Sequence, residues 1–236
     1  MKLSQIVESG VFELGISLPN GAVNAFETFY AFLEEKGENI NLTAISGYKH
    51  FAQMHILDSL ALLTVIDFEN MSVIDVGSGA GFPGLPLKVA EPTIELTLLD
   101  ATWKKVDFLN QLSAVIGTSA ECIHARAEEI SHTDRMRERF DISVSRAVAR
   151  LNVLCELCLP FLNIGGAFLA MKSVDLSQEL DEAQCAIHTL GAELEETKEY
   201  KIPGTDIMRS VVIIRKTTKT PDIYPRRYSK IKREPL

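Results

Sequence analysis

The sequence predicts an α/β protein in which a mostly parallel β-sheet carries helices on both faces and is preceded by a helical extension. From residue 72 onward, short runs rich in Val, Ile and Leu alternate with longer amphipathic stretches, which is the pattern of repeated strand–helix units. Before residue 72, apolar residues recur only at three- and four-residue spacing, which is the period of an α-helix.

Three helices are predicted before the first strand. Apolar residues recur at helical spacing near residues 3–11, over residues 19–37 and over residues 48–65. A proline opens the second stretch and a glycine closes it, as expected for the two ends of a helix. Residues 1–70 are therefore expected to form a helical extension of the domain that follows.

Strands and helices alternate through the rest of the chain. The predicted strands are residues 72–76, 94–99, 121–125, 140–145, 167–171, 193–201 and 208–216, and the predicted helices are residues 82–90, 103–116, 150–162 and 176–190. Alternation of this kind gives parallel strands, but only a short Pro203-Gly204 turn separates the last two, which are therefore antiparallel. We expect one domain over residues 71–217 and a basic tail over residues 218–236.

The composition is that of an ordinary globular protein, with 46% hydrophobic and 24% charged residues. No apolar run reaches the roughly 18 residues of a membrane span, and the first residues lack a signal-peptide pattern. The four cysteines are few and irregularly spaced, which argues against a disulfide scaffold. We expect a reduced, cytoplasmic protein with no membrane partner.

Charge is distributed unevenly along the chain. The net charge of −8 by itself argues against a nucleic-acid partner. However, eight basic and two acidic residues lie between Arg215 and Leu236, which leaves −14 for the preceding part of the chain. A basic terminus on an acidic protein indicates an interaction surface more clearly than the total charge does.

A glycine-rich turn follows the first predicted strand, in the sequence SVIDVGSGAGFPG over residues 72–84. Glycines here let backbone N–H groups approach a nucleotide-like ligand; they are Gly77, Gly79 and Gly81. A dinucleotide-binding turn would need its third glycine at the position of Phe82. With Asp75 two residues before the first glycine, the spacing is instead typical of an S-adenosylmethionine (SAM) loop. An NAD or FAD site and a purely structural turn are the alternatives.

Further site candidates follow the other strands, because ligands of open α/β sheets bind beyond the carboxyl ends of the strands. Asp100 ends the second strand, where its carboxylate can accept hydrogen bonds from both ribose hydroxyls; the alternative is a solvated acid. Ala127 and Glu128 follow the third strand, where they can hold the adenine edge or cap a helix. Arg146 ends the fourth strand, where it can pair with the methionine carboxylate, a phosphate or one of the protein's own acids.

No metal site is predicted. Cys155 and Cys158 lie inside an apolar helix and are read as small buried residues, and the five histidines are scattered. His55 and Asp58 share one helix face, which predicts a hydrogen-bonded pair that joins the helical extension to the main domain.

The C-terminal segment interleaves aromatic and basic residues, a composition suited to single-stranded or looped RNA. The candidate RNA-binding residues are Arg226, Arg227, Lys230, Lys232 and Arg233. The alternative is a tail that only increases solubility.

Five motifs in this order and spacing resemble one known family: they span residues Asn41–Ile45, His55–Leu60, Asp75–Gly84, Arg126–Glu129 and Ser145–Ala149. The family is the bacterial 16S ribosomal RNA guanine-N7 methyltransferases, also called glucose-inhibited division protein B. The resemblance covers essentially the whole chain. The C-terminus has the family's Tyr-Pro-Arg ending at residues 224–226 and diverges after it.

The resemblance implies a class I SAM-methyltransferase fold, Rossmann-like, with SAM as co-substrate and no metal. It implies SAM contacts at Gly77, Phe82, Ala127, Glu128 and Arg146. It also implies methyl transfer to N7 of a guanine in the 530 loop, with 16S rRNA or the small ribosomal subunit as partner. Nothing in the sequence suggests an obligate protein partner, so we expect a monomer.

The chemistry of this reaction asks little of the enzyme's acids and bases. Guanine N7 carries an in-plane lone pair and no proton, so catalysis consists of placing it in line with the methyl group. No chemical catalyst is therefore named, and Arg146 and Asn41 are expected to position the ligands. The alternatives are methylation of another RNA or a small molecule, a non-catalytic SAM-binding RNA-binding protein, and a nicotinamide dehydrogenase.

Overall fold

Seven β-strands form one sheet in the computed structural model, which describes residues 2–36, 47–146 and 148–236. The strands are β1 (Ser72–Val76), β2 (Glu95–Asp100), β3 (Ala120–His124), β4 (Phe140–Arg146), β5 (Leu162–Lys172), β6 (Ala192–Lys201) and β7 (Met208–Lys216). Their order is β3-β2-β1-β4-β5-β7-β6. β1 to β5 pair in parallel, and β7 is antiparallel to both β5 and β6. The predicted mostly parallel sheet with a final antiparallel hairpin is confirmed.

Ten α-helical segments surround the sheet in the described chain: α1 (Leu3–Leu14), α2 (Ala22–Lys36), α3 (Tyr48–Phe51), α4 (Asp58–Leu60), α5 (Gly84–Ala90), α6 (Trp103–Val115), α7 (Ala127–Ile130), α8 (Leu151–Cys158), α9 (Ser177–Thr189) and α10 (Tyr228–Arg233). Among the described residues, no helix has the length and apolar character needed to cross a membrane.

Both faces of the sheet are covered, because successive residues of a strand point to opposite sides. On β1, Val73 belongs to the hydrophobic core under α1, α2, α5 and α6, whereas Ile74 belongs to the core under α8 and α9. Both side chains are fully buried. Burial on both faces explains why this strand is a continuous apolar run in the sequence rather than an alternating one.

The helical extension shares a core with the sheet. Phe29 of α2 stacks on Phe82 in the glycine-rich turn, with ring centroids 4.9 Å apart and ring planes 6° from parallel. Phe32, also on α2, packs against Phe108 of α6 at 5.3 Å. The hydrophobic cluster that contains these contacts runs from α1 to β7.

The predicted helix over residues 48–65 is interrupted by a change of helix type. Ala52–Leu57 is π-helical between α3 and α4, and Ala61–Thr64 forms a final 3-10 turn. Such π-segments are frequent at functional sites. A contact with a residue far along the chain stabilises this segment: Gln53 Nε2 donates to the Gly204 carbonyl at 2.8 Å. The Gly204 N–H in turn donates to Glu13 on α1 at 3.2 Å.

The helix predicted over residues 150–162 is shorter than expected, and the strand after it is longer. α8 ends at Cys158, a 3-10 turn follows over Leu159–Phe161, and β5 begins at Leu162 instead of residue 167. Pro160 in this turn has no N–H to continue a helix. The pairing register shifts between Phe140 and Ile142 of β4, which lets the glycines before residue 167 lie within the strand rather than in a loop.

Residues 218–236, predicted as a tail, pack against the main domain. α10 lies against α8, and Ile231 is fully buried. The Arg137 guanidinium donates to the carbonyls of Thr220 at 2.8 Å and Tyr224 at 2.9 Å. This segment is an ordered part of the fold, while the boundaries proposed for the three parts of the chain stay a prediction.

Candidate active site

A cavity of about 1040 Å³ opens beyond the carboxyl ends of the parallel strands. The cofactor-binding candidates named from the sequence all line it: Gly77, Gly79, Phe82, Asp100, Ala127, Glu128 and Arg146. They meet because the strands that precede them are neighbours in the sheet and end at the same edge. Asn41, the other positioning candidate, lies outside the described residues.

The glycine-rich turn is fixed to the end of β2 through its backbone. The N–H groups of Gly77 and Ser78 both donate to the Leu99 carbonyl, at 2.8 and 3.1 Å. Gly77 has a φ of +77°, which favours glycine, and a Cβ there would lie 2.7 Å from Val148 Cγ2. The close approach of the backbone at Gly77 thus depends on the missing side chain.

Asp100 joins the turn to the start of α6. One carboxylate oxygen accepts from the Gly79 N–H at 3.1 Å, and the other accepts from the Thr102 N–H at 2.8 Å. Lys105 lies 3.5 Å from the first of these oxygens. A carboxylate offers about four acceptor positions, so Asp100 keeps capacity for a ligand while it stabilises the loop.

Asp75, which precedes the glycine-rich turn by two residues, is a fully buried carboxyl group. Its Oδ2 accepts from the Gly84 N–H at 2.9 Å, and its Oδ1 has no hydrogen-bond partner among the described residues. Burial is the main cause that raises the pKa of Asp75 to about 7. A Cβ at Gly84 would lie 2.9 Å from Oδ2, so this helix start also requires glycine.

Phe82 lies between the cavity and the helical extension. Its ring stacks on Phe29 and meets Phe51 edge-on at 6.0 Å. The His55 ring lies 4.8 Å away, and the Arg146 guanidinium carbon lies 5.1 Å from the ring centroid. The side chain is nearly buried, so it mainly fixes the turn against the helices.

Arg146 is held by the π-helical segment and its neighbours. One guanidinium nitrogen donates to the Met54 carbonyl and to Asp58 Oδ2, both at 3.0 Å. The other lies 2.9 Å from His55 Nδ1. The second oxygen of Asp58 accepts from the Tyr200 hydroxyl at 2.7 Å. Of the roles left open for Arg146, the ion pair with an acid of the protein is present.

The groups around Arg146 hold defined protonation states. The pKa of His55 is lowered to about 3, first by burial and then by the positive charges of Arg146 and His50. His55 is therefore neutral near pH 7, and its Nδ1 accepts from Arg146. The pKa of Tyr200 is raised by burial and by Asp58, so its phenol stays protonated and donates. His55 and Asp58, predicted to join the two parts of the chain, do so through Arg146.

Glu128 lies in the first turn of α7 and accepts from Arg126 Nε at 2.6 Å. The Arg126 guanidinium carbon lies 5.1 Å from the centroid of the Tyr228 ring. Tyr228 also lines the cavity and is not among the candidates predicted from the sequence. The sequence offered only an aromatic residue in a basic segment, and nothing placed it beside Glu128.

Arg226, one of the candidate RNA-binding residues, is paired within the protein. Its side chain donates twice to Glu156, from Nε at 2.8 Å and from a terminal nitrogen at 2.6 Å, and its backbone N–H adds a third bond at 2.7 Å. Glu156 is fully buried, so this guanidinium neutralises an internal charge, and its contact with RNA stays a prediction. The other four basic candidates are exposed: Arg227, Lys230, Lys232 and Arg233.

Metal-ligating residues do not cluster in the described part of the chain. Cys155 and Cys158 are free and buried, and burial raises the pKa of both thiols. They are packing residues in the helix behind the sheet, as the sequence indicated.

Comparison with known proteins gives a family match. The GidB family model, described as rRNA small subunit methyltransferase G, matches residues 22–208. The protein named ribosomal RNA small subunit methyltransferase G from Caldanaerobacter subterraneus subsp. tengcongensis is 42% identical, covering 100% of this chain and 99% of the relative. The protein of the same name from Pelotomaculum thermopropionicum is also 42% identical, over 99% of each chain.

Solved structures show the fold. A methyltransferase from Pyrococcus furiosus has a TM-score of 0.57 at 13% identity, covering 83% of this chain and 99% of its own. The [4+2]-cyclase SpnF has a TM-score of 0.56 at 14% identity, covering 86% and 98%. Because proteins described as a methyltransferase and as a cyclase share this architecture, the reaction has to be argued from the site and the family.

Proposed function

The chain belongs to the GidB family, rRNA small subunit methyltransferase G, and from this premise we propose that it methylates N7 of a guanine in the 530 loop of 16S rRNA. The family membership makes it a SAM-dependent ribosomal RNA methyltransferase. The guanine base, its N7 atom and the 530 loop are what we propose beyond this activity. One observation supports it most directly: the glycine-rich turn, Asp100 and Glu128 line a single cavity beyond the carboxyl ends of the parallel strands.

The cavity fits SAM on two observations. A Cβ at Gly77 would lie 2.7 Å from Val148 Cγ2, and both residues line the cavity, so the bare main chain of the turn forms part of its wall. Asp100 lines the same cavity and keeps acceptor positions beyond its bonds to the Gly79 and Thr102 N–H groups, as the hydroxyls of a ribose need.

We assign the candidate residues to different parts of SAM according to their chemistry. We assign Asp100 to the ribose hydroxyls, because its carboxylate lies at the end of β2 with acceptor positions to spare. Ala127 and Glu128 take the adenine edge, and the main chain of the turn at Gly77 and Gly79 lies against the methionine part. Arg146 is a positioning residue, because its charge is balanced by Asp58.

When bound, SAM supplies an electrophilic methyl group. The protein's own residues then have to orient guanine N7, which needs no base to remove a proton. The described groups on this side of the cavity agree with that requirement. His55 is neutral and accepts from Arg146, and the Tyr200 phenol is committed to Asp58. The engagement of His55 and Tyr200 with Arg146 and Asp58 suits methylation of a ring nitrogen that carries a lone pair.

RNA contact is assigned to the exposed basic residues of the C-terminal segment, with the helical extension as a second surface for phosphates. We propose that the enzyme acts as a monomer, in the cytoplasm, on the small ribosomal subunit or its RNA. We propose that the helical extension (residues 1–70), the SAM-binding domain (residues 71–217) and the basic C-terminal segment (residues 218–236) have separate roles in binding RNA and SAM.

The test is methyl transfer from labelled SAM to small ribosomal subunits and to free 16S rRNA, both lacking the modification. Nuclease mapping and nucleoside mass spectrometry should find 7-methylguanosine in the 530 loop, and Asp100→Ala should serve as the weakened control. Methyl groups at another base or loop would replace the proposed target. Label in no RNA at any stage of assembly would favour a small-molecule substrate or a non-catalytic RNA-binding role.

A further inference from the structure

The C-terminal helix α10 has two chemically different faces. Tyr228 lines the cavity, and Ile231 is buried in the core formed with α8 and α9. The basic residues of the same helix are exposed: Lys230, Lys232 and Arg233. One short element therefore reaches both the candidate cofactor site and the candidate RNA surface.

Tyr228 lies at the adenosine end of the cavity. Its ring is held under the Arg126 guanidinium at 5.1 Å, and Arg126 is itself fixed by Glu128 at 2.6 Å. The ring packs with the same hydrophobic cluster as Ala125 and Ala127, which flank the start of α7. These are the residues to which the adenine edge was assigned, so the tyrosine adds an aromatic wall beside that edge.

Three contacts just before α10 keep this wall in place. Arg226 pairs with the fully buried Glu156 through three hydrogen bonds of 2.6 to 2.8 Å. The Pro225 carbonyl lies 2.8 Å from His132 Nε2. Arg137 donates to the Tyr224 carbonyl at 2.9 Å. Because the backbone is fixed directly before residue 228, the tyrosine ring is a preorganised part of the cavity.

We propose that Tyr228 is a positioning residue for the adenosine part of SAM, and that α10 thereby links RNA binding on its basic face to SAM binding in the cavity. The first half needs only the cavity, whereas the link rests on the proposed RNA substrate. An aromatic ring beside a nucleobase contributes by stacking and restricts where the base can lie. Coupling between two ligands is reciprocal, so RNA that tightens SAM binding is itself bound more tightly in the presence of SAM.

The first experiment measures binding of S-adenosylhomocysteine and of methylthioadenosine by titration calorimetry. Tyr228→Ala should weaken both ligands by a similar factor of about ten, because the lost contact is at the adenosine end that they share. Tyr228→Phe should stay within about twofold of the original affinity, and Tyr228→Leu should lie between the two. The control is Ile223→Ala, which removes a side chain that is 73% exposed in the same segment.

Two results would overturn the assignment. Unchanged affinity in Tyr228→Ala would show that the ring does not touch the ligand. Loss of affinity in Tyr228→Phe and Tyr228→Leu as large as in Tyr228→Ala, with a matching fall in Tm, would show that the residue only supports the fold.

The second experiment measures S-adenosylhomocysteine affinity by equilibrium dialysis, with and without saturating small ribosomal subunits that lack the modification. Subunits should tighten binding several-fold in the original protein. This factor should fall to one in Tyr228→Ala and in the triple variant Lys230→Gln, Lys232→Gln, Arg233→Gln. An unchanged factor in both variants, or no effect of bound subunits on the original protein, overturns the link. Failure of the proposed function differs from these results, because the subunits would then not bind at all.

Discussion

The carboxyl group of Asp75 is expected to change its charge near neutral pH. Its pKa, raised to about 7 by burial, lies above the 3.8 of an ordinary Asp. Between these two values the folded protein holds a proton that the unfolded chain has released. The contribution of this residue to stability is therefore present at low pH and is lost as the pH rises through that window.

Asp75→Asn should remove this pH dependence. We expect the stability of the original protein relative to the variant to fall by about 2–4 kcal/mol between pH 4.5 and pH 7.5, as measured by urea unfolding. Asp107→Asn, an exposed substitution on α6, is the control and should show no such trend. Parallel pH curves for Asp75→Asn and the original protein would show that Asp75 titrates normally.

Asp100 has a structural task as well as a proposed ligand task, and the two can be separated. Asp100→Ala should weaken SAM at least about tenfold, because each hydrogen bond to a carboxylate contributes about 1.5–3 kcal/mol. RNA affinity should change by less than about twofold, since the residue lies inside the cavity. Calorimetry for SAM and filter binding for RNA give the two values. Equal loss of both would mean that the glycine-rich turn had collapsed.

Residues at strand ends could be found from the sequence because a strand's end and its neighbours follow from local patterns. Asp100, Glu128 and Arg146 were located in this way, and the cavity brings them together. Their partners could not be found, because a partner depends on packing between distant segments. Asp58 and Arg146 are 88 positions apart, and no local pattern links them.

At the scale of elements, the C-terminal segment contains one basic side chain that stabilises the fold and several that face solvent. Arg226→Gln leaves the buried Glu156 without its partner and should cost about 3–5 kcal/mol of stability. Arg227→Gln, an exposed change at the next residue, should stay within about 0.5 kcal/mol. Urea unfolding measures both. A stable Arg226→Gln variant with weakened RNA binding would contradict this structural role and support the RNA contact that the sequence predicts for Arg226.

Strands and helices were predicted most accurately where a single property of the sequence, such as an unbroken apolar run, determines them. β1 was found because Val73 and Ile74 are buried on opposite faces, which makes the strand apolar throughout. β5 was placed five residues late, because Gly165 and Gly166 indicated a loop, whereas the structure accommodates them beside a register shift. The π-helical segment has the same apolar spacing as an α-helix over so few residues, and its type follows from contacts to other elements.

At the scale of the whole molecule, the helical extension is part of the main core. Phe29 on Phe82 and Phe32 on Phe108 are contacts between the two parts of the chain. A fragment of residues 71–236 would expose these aromatic faces to water. We expect it to bind a hydrophobic dye and to unfold without a cooperative transition. Addition of a residue 1–70 peptide should partly restore cooperativity, and a fragment that unfolds as sharply as the full chain would contradict a shared core.

The hydrogen bonds at Gly204 have a consequence for the order in which the chain is made. Gly204 closes contacts to Gln53 and Glu13, over separations of 151 and 191 residues. The helices that leave the ribosome first therefore pack against residues that leave it among the last. Contacts this distant in sequence form late and leave apolar surface uncovered in the meantime. We therefore expect apolar surface of the first helix to stay uncovered in a nascent chain until Gly204 and β7 have emerged.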